Sequence, residues 1–516
     1  MLAIGVAASV TIAALIIAGH LLAIRFEPYI REQAIKYLEK RFDSDVQIAT
    51  LRVRLPHISP LKLALQRGRG ALARVEGEGV ALHHRTESAS RPLFVMKSFA
   101  FEVDLGTLFD KSKTVRSVTV DGMEINIPPK AERPDFDEGA DDSTQTGVLI
   151  EDVVITNSIL TIIPKDKDKD PLEFDLHRVH LMSAGKNVAM KYDATLTNAK
   201  PPGEIQSKGV FGPWAAGEPG NTPLAGQYDF KDADLGVFDE IGGILHSTGM
   251  FEGNLDSITV HGEASVPNFH LKSAGNPVPL TTRFDVLVDG TNGDTILRPV
   301  IGSIGKTRFT TSGGVVDNKA TGHRSISLAV SMPAGNIRDV LRLAMKGDPF
   351  MDGTLSLKAK IDIPPLGGKV KQKLLLDGNF EISQARFLQS KIQDQIDTFS
   401  RRGQGRPKDP QIVDIPSGLA GSFKLENEVM TFRALSFAVP GAGVDLTGNY
   451  NLNRDEIDFH GTVRLQAKVS ETFSGWKRWA LKPIDPFFSK QGAGTLIRIQ
   501  VTGSSKEPQF GRDRGK

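Results

Sequence analysis

The residues best suited to chemistry are carboxylates at short spacing. "KDKDKD", residues 165–170, sets Asp166, Asp168 and Asp170 two apart, as at the start of a calcium loop. Such a loop needs Gly at its sixth position and Glu at its twelfth. Those positions hold Pro171 and His177, so the tract reads as a solvated hairpin tip. Asp135, Asp137, Glu138, Asp141 and Asp142 fall in "DFDEGADDSTQTG", residues 135–147, which reads as a solvated acidic loop. His83 and His84 suggest a metal site, but adjacent strand residues point to opposite faces and do not easily share one ion. "RRGQGRP" from Arg401 follows a helical pattern; it reads first as a helix stop and second as a seat for an anionic headgroup.

The chain carries no H-E-x-x-H, G-x-S-x-G or phosphate-loop motif, and nothing singles out a glycosidase-like carboxylate pair. It has no cysteine, which excludes disulfides, a thiol nucleophile and thiolate-bound metal. The reading is therefore of a non-enzyme without metal or cofactor. With 63 basic and 61 acidic residues the net charge is +2, so the basic excess of a nucleic-acid binder is missing. The aromatics are skewed to Phe, 27 against 5 Tyr and 3 Trp. Phenylalanine has no polar handle, which fits either an ordinary Phe-rich core or a fully apolar surface.

The elements that must position these residues differ along the chain. "LAIGVAASVTIAALIIAGHLLAI", residues 2–24, is uncharged and long enough to span a bilayer, which takes about 20 residues. A secretory signal has a shorter apolar region of about 7–15 residues, so an uncleaved anchor is the reading. Arg25, Arg31, Lys36, Lys40 and Arg41 follow it, a bias that on its own points the body to the cytoplasmic side. Residues 26–43 carry Ile30, Ala34, Leu38 and Phe42 four apart, an amphipathic helix that either caps a domain or lies on a membrane.

From residue 46 the period is two, as in "FAFEVDLGTL" and "EIDFHGTVRLQAKV", which predicts strands with one apolar and one wet face. Asp121-Gly122, Asn157-Ser158, Asp289-Gly290 and Asn292-Gly293 read as tight turns. The period changes to helical near 335–346, 386–400 and 471–482.

One pattern recurs. In "VRSVTVDGMEINIP", residues 115–128, Val118, Val120, Ile125 and Ile127 form an apolar ribbon around Asp121-Gly122. Adding 35 to each number gives Val153, Ile155, Leu160 and Ile162 in "EDVVITNSILTII". A third copy begins with Val188 and Met190 but has Thr195 and Thr197 at the second pair. This reads as a recurring hairpin. A ribbon with one apolar face must bury it, on a second sheet in a closed sandwich or on lipid in an open groove. Alternation fits both.

Several stretches resemble the AsmA-like family of envelope proteins: "REQAIKYLEKRF", "DVQIATLRVRLP" and "FEVDLGTLFDKSKTVRSVTVDGMEINIP" near the start. Toward the end, "GTNGDTILRPVIGSIGKTRFTTSGGV", "LSFAVPGAGVDLTGNY" and "DPFFSKQGAGTLIRIQVTGSSKEPQFG" resemble its C-terminal region. The resemblance implies a single-pass inner-membrane anchor over 2–24 and a periplasmic body. It also implies a mainly β fold, a long curved antiparallel sheet forming an apolar groove like that of chorein-type bridge-like lipid-transfer proteins. It divides the body into a β-groove portion over 46–200 and a β-rich C-terminal region over 201–516. The eight ribbon residues become candidates to line the groove, phospholipid the expected ligand, and outer-membrane biogenesis the setting. An assembly factor that binds outer-membrane proteins without moving lipid is the alternative, and an envelope hydrolase a third.

Overall fold

Strict alternation of β-branched and aromatic residues with polar ones drives most of this chain into extended backbone. The structure is a computed structural model. It describes residues 44–54, 72–84, 91–104, 112–127, 147–164, 170–185, 188–215, 218–318, 321, 323–467, 495–504 and 507–513, with helical residues 28, 31–32, 35–36 and 38–39. The fold is mainly β with few helices. The anchor expected over 2–24 and the helix expected over 471–482 lie outside the described residues. The chain divides into two units, Met1–Ala233 with Thr248–Leu255, and Asp234–Ser247 with Asp256–Lys516. Residues 200–201 join two paired strands of the first unit.

The first unit contains β1 (Ser44–Arg54), β2 (Leu72–His84), β3 (Phe94–Asp104), β4 (Ser112–Ile127), β5 (Gly147–Ile162), β6 (Leu172–Gly185), β7 (Met190–Ala199), β8 (Pro202–Phe211) and β9 (Pro223–Asp234). Each pairs with the next, antiparallel everywhere except β4–β5, which is parallel. β9 pairs in turn with β11 (Ile244–Asn254), whose residues from Thr248 belong to this unit. Ile35 and Leu38 of the N-terminal helical stretch pack on Val46, Ile48, Leu51, Val80 and Leu82, so this helix caps the sheet.

In the second unit β10 (Ile241–Gly242) pairs with β12 (Ser257–Leu271). An antiparallel meander continues through β13 (Val278–Val288), β14 (Thr295–Ile304), β15 (Thr307–Asn318), β16 (His323–Asn336), β17 (Met351–Ile363), β18 (Leu375–Phe387), β19 (Ser417–Glu426), β20 (Val429–Val439), β21 (Ala442–Asn451), β22 (Glu456–Leu465), β23 (Thr495–Gly503) and β24 (Pro508–Arg512). Asp289-Gly290 and Asn292-Gly293 make the β13–β14 turn, where Gly293 N–H donates to the Asp289 carbonyl at 2.6 Å.

Two helices lie where the period changes. α1 (Ile337–Ala344) starts on Asn336, whose side chain accepts the Arg338 N–H at 2.8 Å. Its Ile337, Val340 and Leu341 pack on Met332, Met351, Leu355 and Ile382. α2 (Ser390–Gly403) puts Ile392, Ile396 and Phe399 on Phe437, Val439, Ala442 and Leu465. Its buried Asp397 accepts N–H groups from Asp414 (2.9 Å) and Ile415 (3.0 Å) and the Gln393 amide (3.0 Å), pinning the following loop. "RRGQGRP" is a helix stop. Gly405 at φ 71° lets its N–H reach the Arg402 carbonyl at 3.0 Å and the Arg406 N–H reach the Arg401 carbonyl at 2.8 Å.

Candidate functional site

The eight ribbon residues lie on β4 and β5, and their 35-residue offset is the parallel register itself. Val118 faces Val153, Val120 faces Ile155, Ile125 faces Leu160, and Ile127 faces Ile162. This corrects the hairpin reading. Asp121-Gly122 and Asn157-Ser158 are not turns; they lie inside continuous strands. The third copy fails because β7 returns antiparallel to β6, which leaves Val188 exposed outside it.

The dipeptides do different work. Gly79, Gly122 and Asn157 take left-handed backbone, with φ of 63°, 63° and 50°. Gly79 lies opposite Ala49, and Gly122 opposite Lys97 and beside Asn157, so the kinks follow one line across the sheet. A Cβ on Gly122 would sit 2.9 Å from the Lys97 Cβ, so a side chain is excluded by space as well as by φ. One left-handed residue shifts the side-to-side alternation by one position. Hence Val120 and Ile125, five residues apart, share a face. The burial of β1 records the same shift, falling on Val46 and Ile48 and then on Leu51.

Apolar rows therefore cross the unit. One runs Leu51, Gly77, Phe99, Val120, Ile155, Val179, with the Phe99 ring lying over Gly77. Beyond the kink another runs Val46, Leu82, Phe94, Ile125, Leu160, Phe174. Every described strand of the unit belongs to this one hydrogen-bonded series. Away from the helix most members of the rows are only half-buried. Of the eight residues Val153 is buried at 8% exposure, Ile162 is exposed at 37%, and the others lie between.

The opposite face is wet and charged. Arg74 bridges Glu76 at 2.9 Å and Glu102 at 3.4 Å, and His180 Nε2 lies 2.5 Å from Asp152 Oδ1. At the kink line Asp121 accepts from the Asn157 amide at 2.7 Å and the Thr156 hydroxyl at 3.0 Å. These hydrogen bonds, with a smaller contribution from Lys97, hold the Asp121 carboxyl below its usual range.

Sequence reasoning missed a second feature of the apolar face. Val179, Leu181, Met190, Tyr192, Phe211, Leu224 and Phe251 surround an open cavity of about 280 Å³. It exists because Gly209 and Gly226 are paired and bare; a Cβ on Gly226 would lie 2.7 Å from both Phe251 Cζ and Tyr192 Oη. Burial pushes the Tyr192 phenol up, while its hydrogen bond with Ser207 at 3.2 Å opposes this in part. The signal available was the aromatic–glycine pairing across neighbouring strands, invisible until the register is known.

The chemical candidates do not converge. Asp166 and Asp168, and the acidic residues 135, 137, 138, 141 and 142, lie outside the described residues. Asp170 and His83 are exposed, and His177 Nε2 lies 2.8 Å from Thr197 Oγ1. Among the described residues no three His, Asp or Glu side chains gather as a metal site would require. The chain matches no protein-family model, no curated protein and no solved structure.

Proposed function

We propose that this chain binds membrane lipids, phospholipid among them, on the apolar face of its sheets and passes them between membranes. In this reading residues 2–24 anchor it in the inner membrane, the body lies in the periplasm, and the lipid serves outer-membrane biogenesis. The observation that carries the reading is the set of apolar rows through Val120–Ile155 and Ile125–Leu160, whose side chains stay half-buried within the unit. An acyl chain is the natural cover. It is apolar along its length, asks for no hydrogen bonds, and gains about 0.8 kcal/mol for each methylene removed from water. The charged opposite face explains how such a sheet stays solvated. The AsmA-like resemblance supports the same reading.

Site-specific photocrosslinking in cells tests it. A benzophenone side chain at Val120 or Ile155 should yield phospholipid adducts by mass spectrometry. The same probe at Thr119 or Val154, neighbours on the other face, should not. Equal labelling from both faces, or adducts with protein alone at Val120 and Ile155, would refute lipid binding there.

A second reading is favoured by β24. Among the described residues only β23 pairs with it, and Phe510 is 77% exposed. Such an edge could take a strand of a partner polypeptide, as an assembly factor would. Crosslinks from Phe510 to outer-membrane proteins, with none to lipid from Val120, would favour it.

A further inference from the structure

The connection from β17 to β18, residues 364–374, reads "PPLGGKVKQKL" and carries Lys369, Lys371 and Lys373 with no carboxylate. Leu366 at its crest is 55% exposed, and Gly367, Gly368 and Lys369 beside it are exposed as well. Lys371 Nζ lies 3.3 Å from Glu428 Oε1, in the β19–β20 turn. Lys373 Nζ donates to the Leu366 carbonyl at 2.5 Å, which fixes the ammonium without neutralising it. Lys369 makes no ion pair among the described residues. The Glu428 carbonyl accepts the Leu452 N–H at 2.9 Å, which ties in the β21–β22 tip. That tip adds Leu452, 38% exposed, and one net negative charge, since Arg454 stands beside Asp455 and Glu456, so the basic character belongs to the β17–β18 connection.

These tips lie at the end of the second unit's sheet opposite α1 and α2, because the meander turns alternately at each end. The apolar residues Ile361, Ile363, Leu376 and Leu425 run up to them. We propose that this basic, leucine-crested tip docks on the surface of an anionic phospholipid bilayer. Leu366 enters the boundary between headgroups and acyl chains, and Lys369 and Lys373 lie over phosphodiesters. A protein partner needs roughly 800 Å² of complementary surface on each side. Two leucines and a few lysines on a glycine-rich loop do not supply that, whereas a bilayer accepts insertion at a point. The inference stands on exposure and charge at a place distinct from Val120 and Ile155, and does not require lipid cargo there.

The test uses full-length protein reconstituted in phosphatidylcholine vesicles and asks whether it captures a second, fluorescent vesicle population. Vesicles containing phosphatidylglycerol should be captured, less so as salt rises, and pure phosphatidylcholine vesicles should not. Lys369→Gln with Lys373→Gln should weaken capture about 30-fold, at about 1 kcal/mol for each basic residue. Leu366→Asp should also weaken it, with melting unchanged because the side chain is exposed. Equal capture of neutral vesicles, no capture at all, or capture unaltered in both variants would overturn the proposal. Crosslinking at Val120 in the same variants should persist, so failure here and failure of the cargo reading are told apart.

Discussion

Replacing Val120 and Ile155 together by aspartate separates an open apolar face from a closed core. The two side chains face each other across β4–β5 and are half-buried. Losing that half-burial costs about 1 kcal/mol each, half the value for full burial. Two carboxylates about 5 Å apart repel by about 1 kcal/mol in water and about 3 kcal/mol at an effective dielectric of 20. On an open face the sum is about 3–5 kcal/mol, which at about 2–4 °C per kcal/mol lowers the melting point by roughly 6–20 °C. In a closed core each unpaired carboxylate costs several kcal/mol more, and the total exceeds the stability of most domains, about 5–15 kcal/mol. Circular dichroism melting and phospholipid phosphorus per chain are the two measurements. The double variant should stay folded and lose lipid. Thr119→Asp with Val154→Asp places the same charges on the wet face and should keep it. Global unfolding of the first variant, or equal lipid loss in both pairs, would refute the open face.

Three further outcomes follow from the geometry. Gly226→Val must push against Phe251 and the Lys208 carbonyl, 2.7 and 2.8 Å from the new Cβ, so it should destabilise by about 1–3 kcal/mol and lower bound lipid; unchanged melting would show that the aromatics move freely. Asp397→Ala leaves two backbone N–H groups and one of the two N–H donors of the Gln393 amide, whose other bond is to the Ile415 carbonyl, without an acceptor under α2, and should cost about 3 kcal/mol or more by denaturant unfolding. Asp121 has a folded pKa below its ordinary 3.8, so its contribution is present above that value and lost as pH falls through the depressed one; Asp121→Asn should flatten the acid limb of a stability–pH curve, and an unaltered limb would refute the role given to its hydrogen bonds.

The faces of the strands were legible in sequence, but the topology of β4 and β5 was not, and the reason is geometric. A two-residue hairpin at Asp121-Gly122 would pair Val120 with Met123 and Val118 with Ile125, placing all four on one side. A single left-handed residue within a continuous strand also brings Val118, Val120, Met123 and Ile125 to one side. Asp-Gly and Asn-Ser supply positive φ for either use. The pattern therefore grouped residues that do share a face, through the wrong connection. Only the neighbours resolve it, since Ala49–Gly79 and Lys97–Gly122 continue the same line. The cavity under Tyr192 and Phe251 was illegible for a related reason: its glycines matter through partners on other strands.

Each unit, taken by itself, contains its own measure of what closure does to these strands. In the second, Met332, Leu355 and Ile382 under α1 are 7%, 3% and 4% exposed. Leu328, Ile361 and Leu376, on the same three strands and the same face but away from the helices, are half-buried. In the first, Val46, Ile48 and Val80 beside the N-terminal helical stretch are 6%, 6% and 4% exposed. Val120 and Ile155, on the row of Leu51, and Ile125, on the row of Val46, are half-buried farther along the sheet. Residue type and strand geometry are alike in these stretches, so helix cover accounts for part of the difference, while Val153 and Met123, at 8% and 9% exposure, are buried without a described helix on them. A sheet that buries its apolar residues to a few per cent wherever a helix lies on it has the side chains for a dry core. Where they stay half-buried, the same side chains are available to the apolar ligand proposed above. A ligand long enough to follow the rows across many strands, with no polar groups to satisfy along the way, meets that requirement, and an acyl chain is such a ligand.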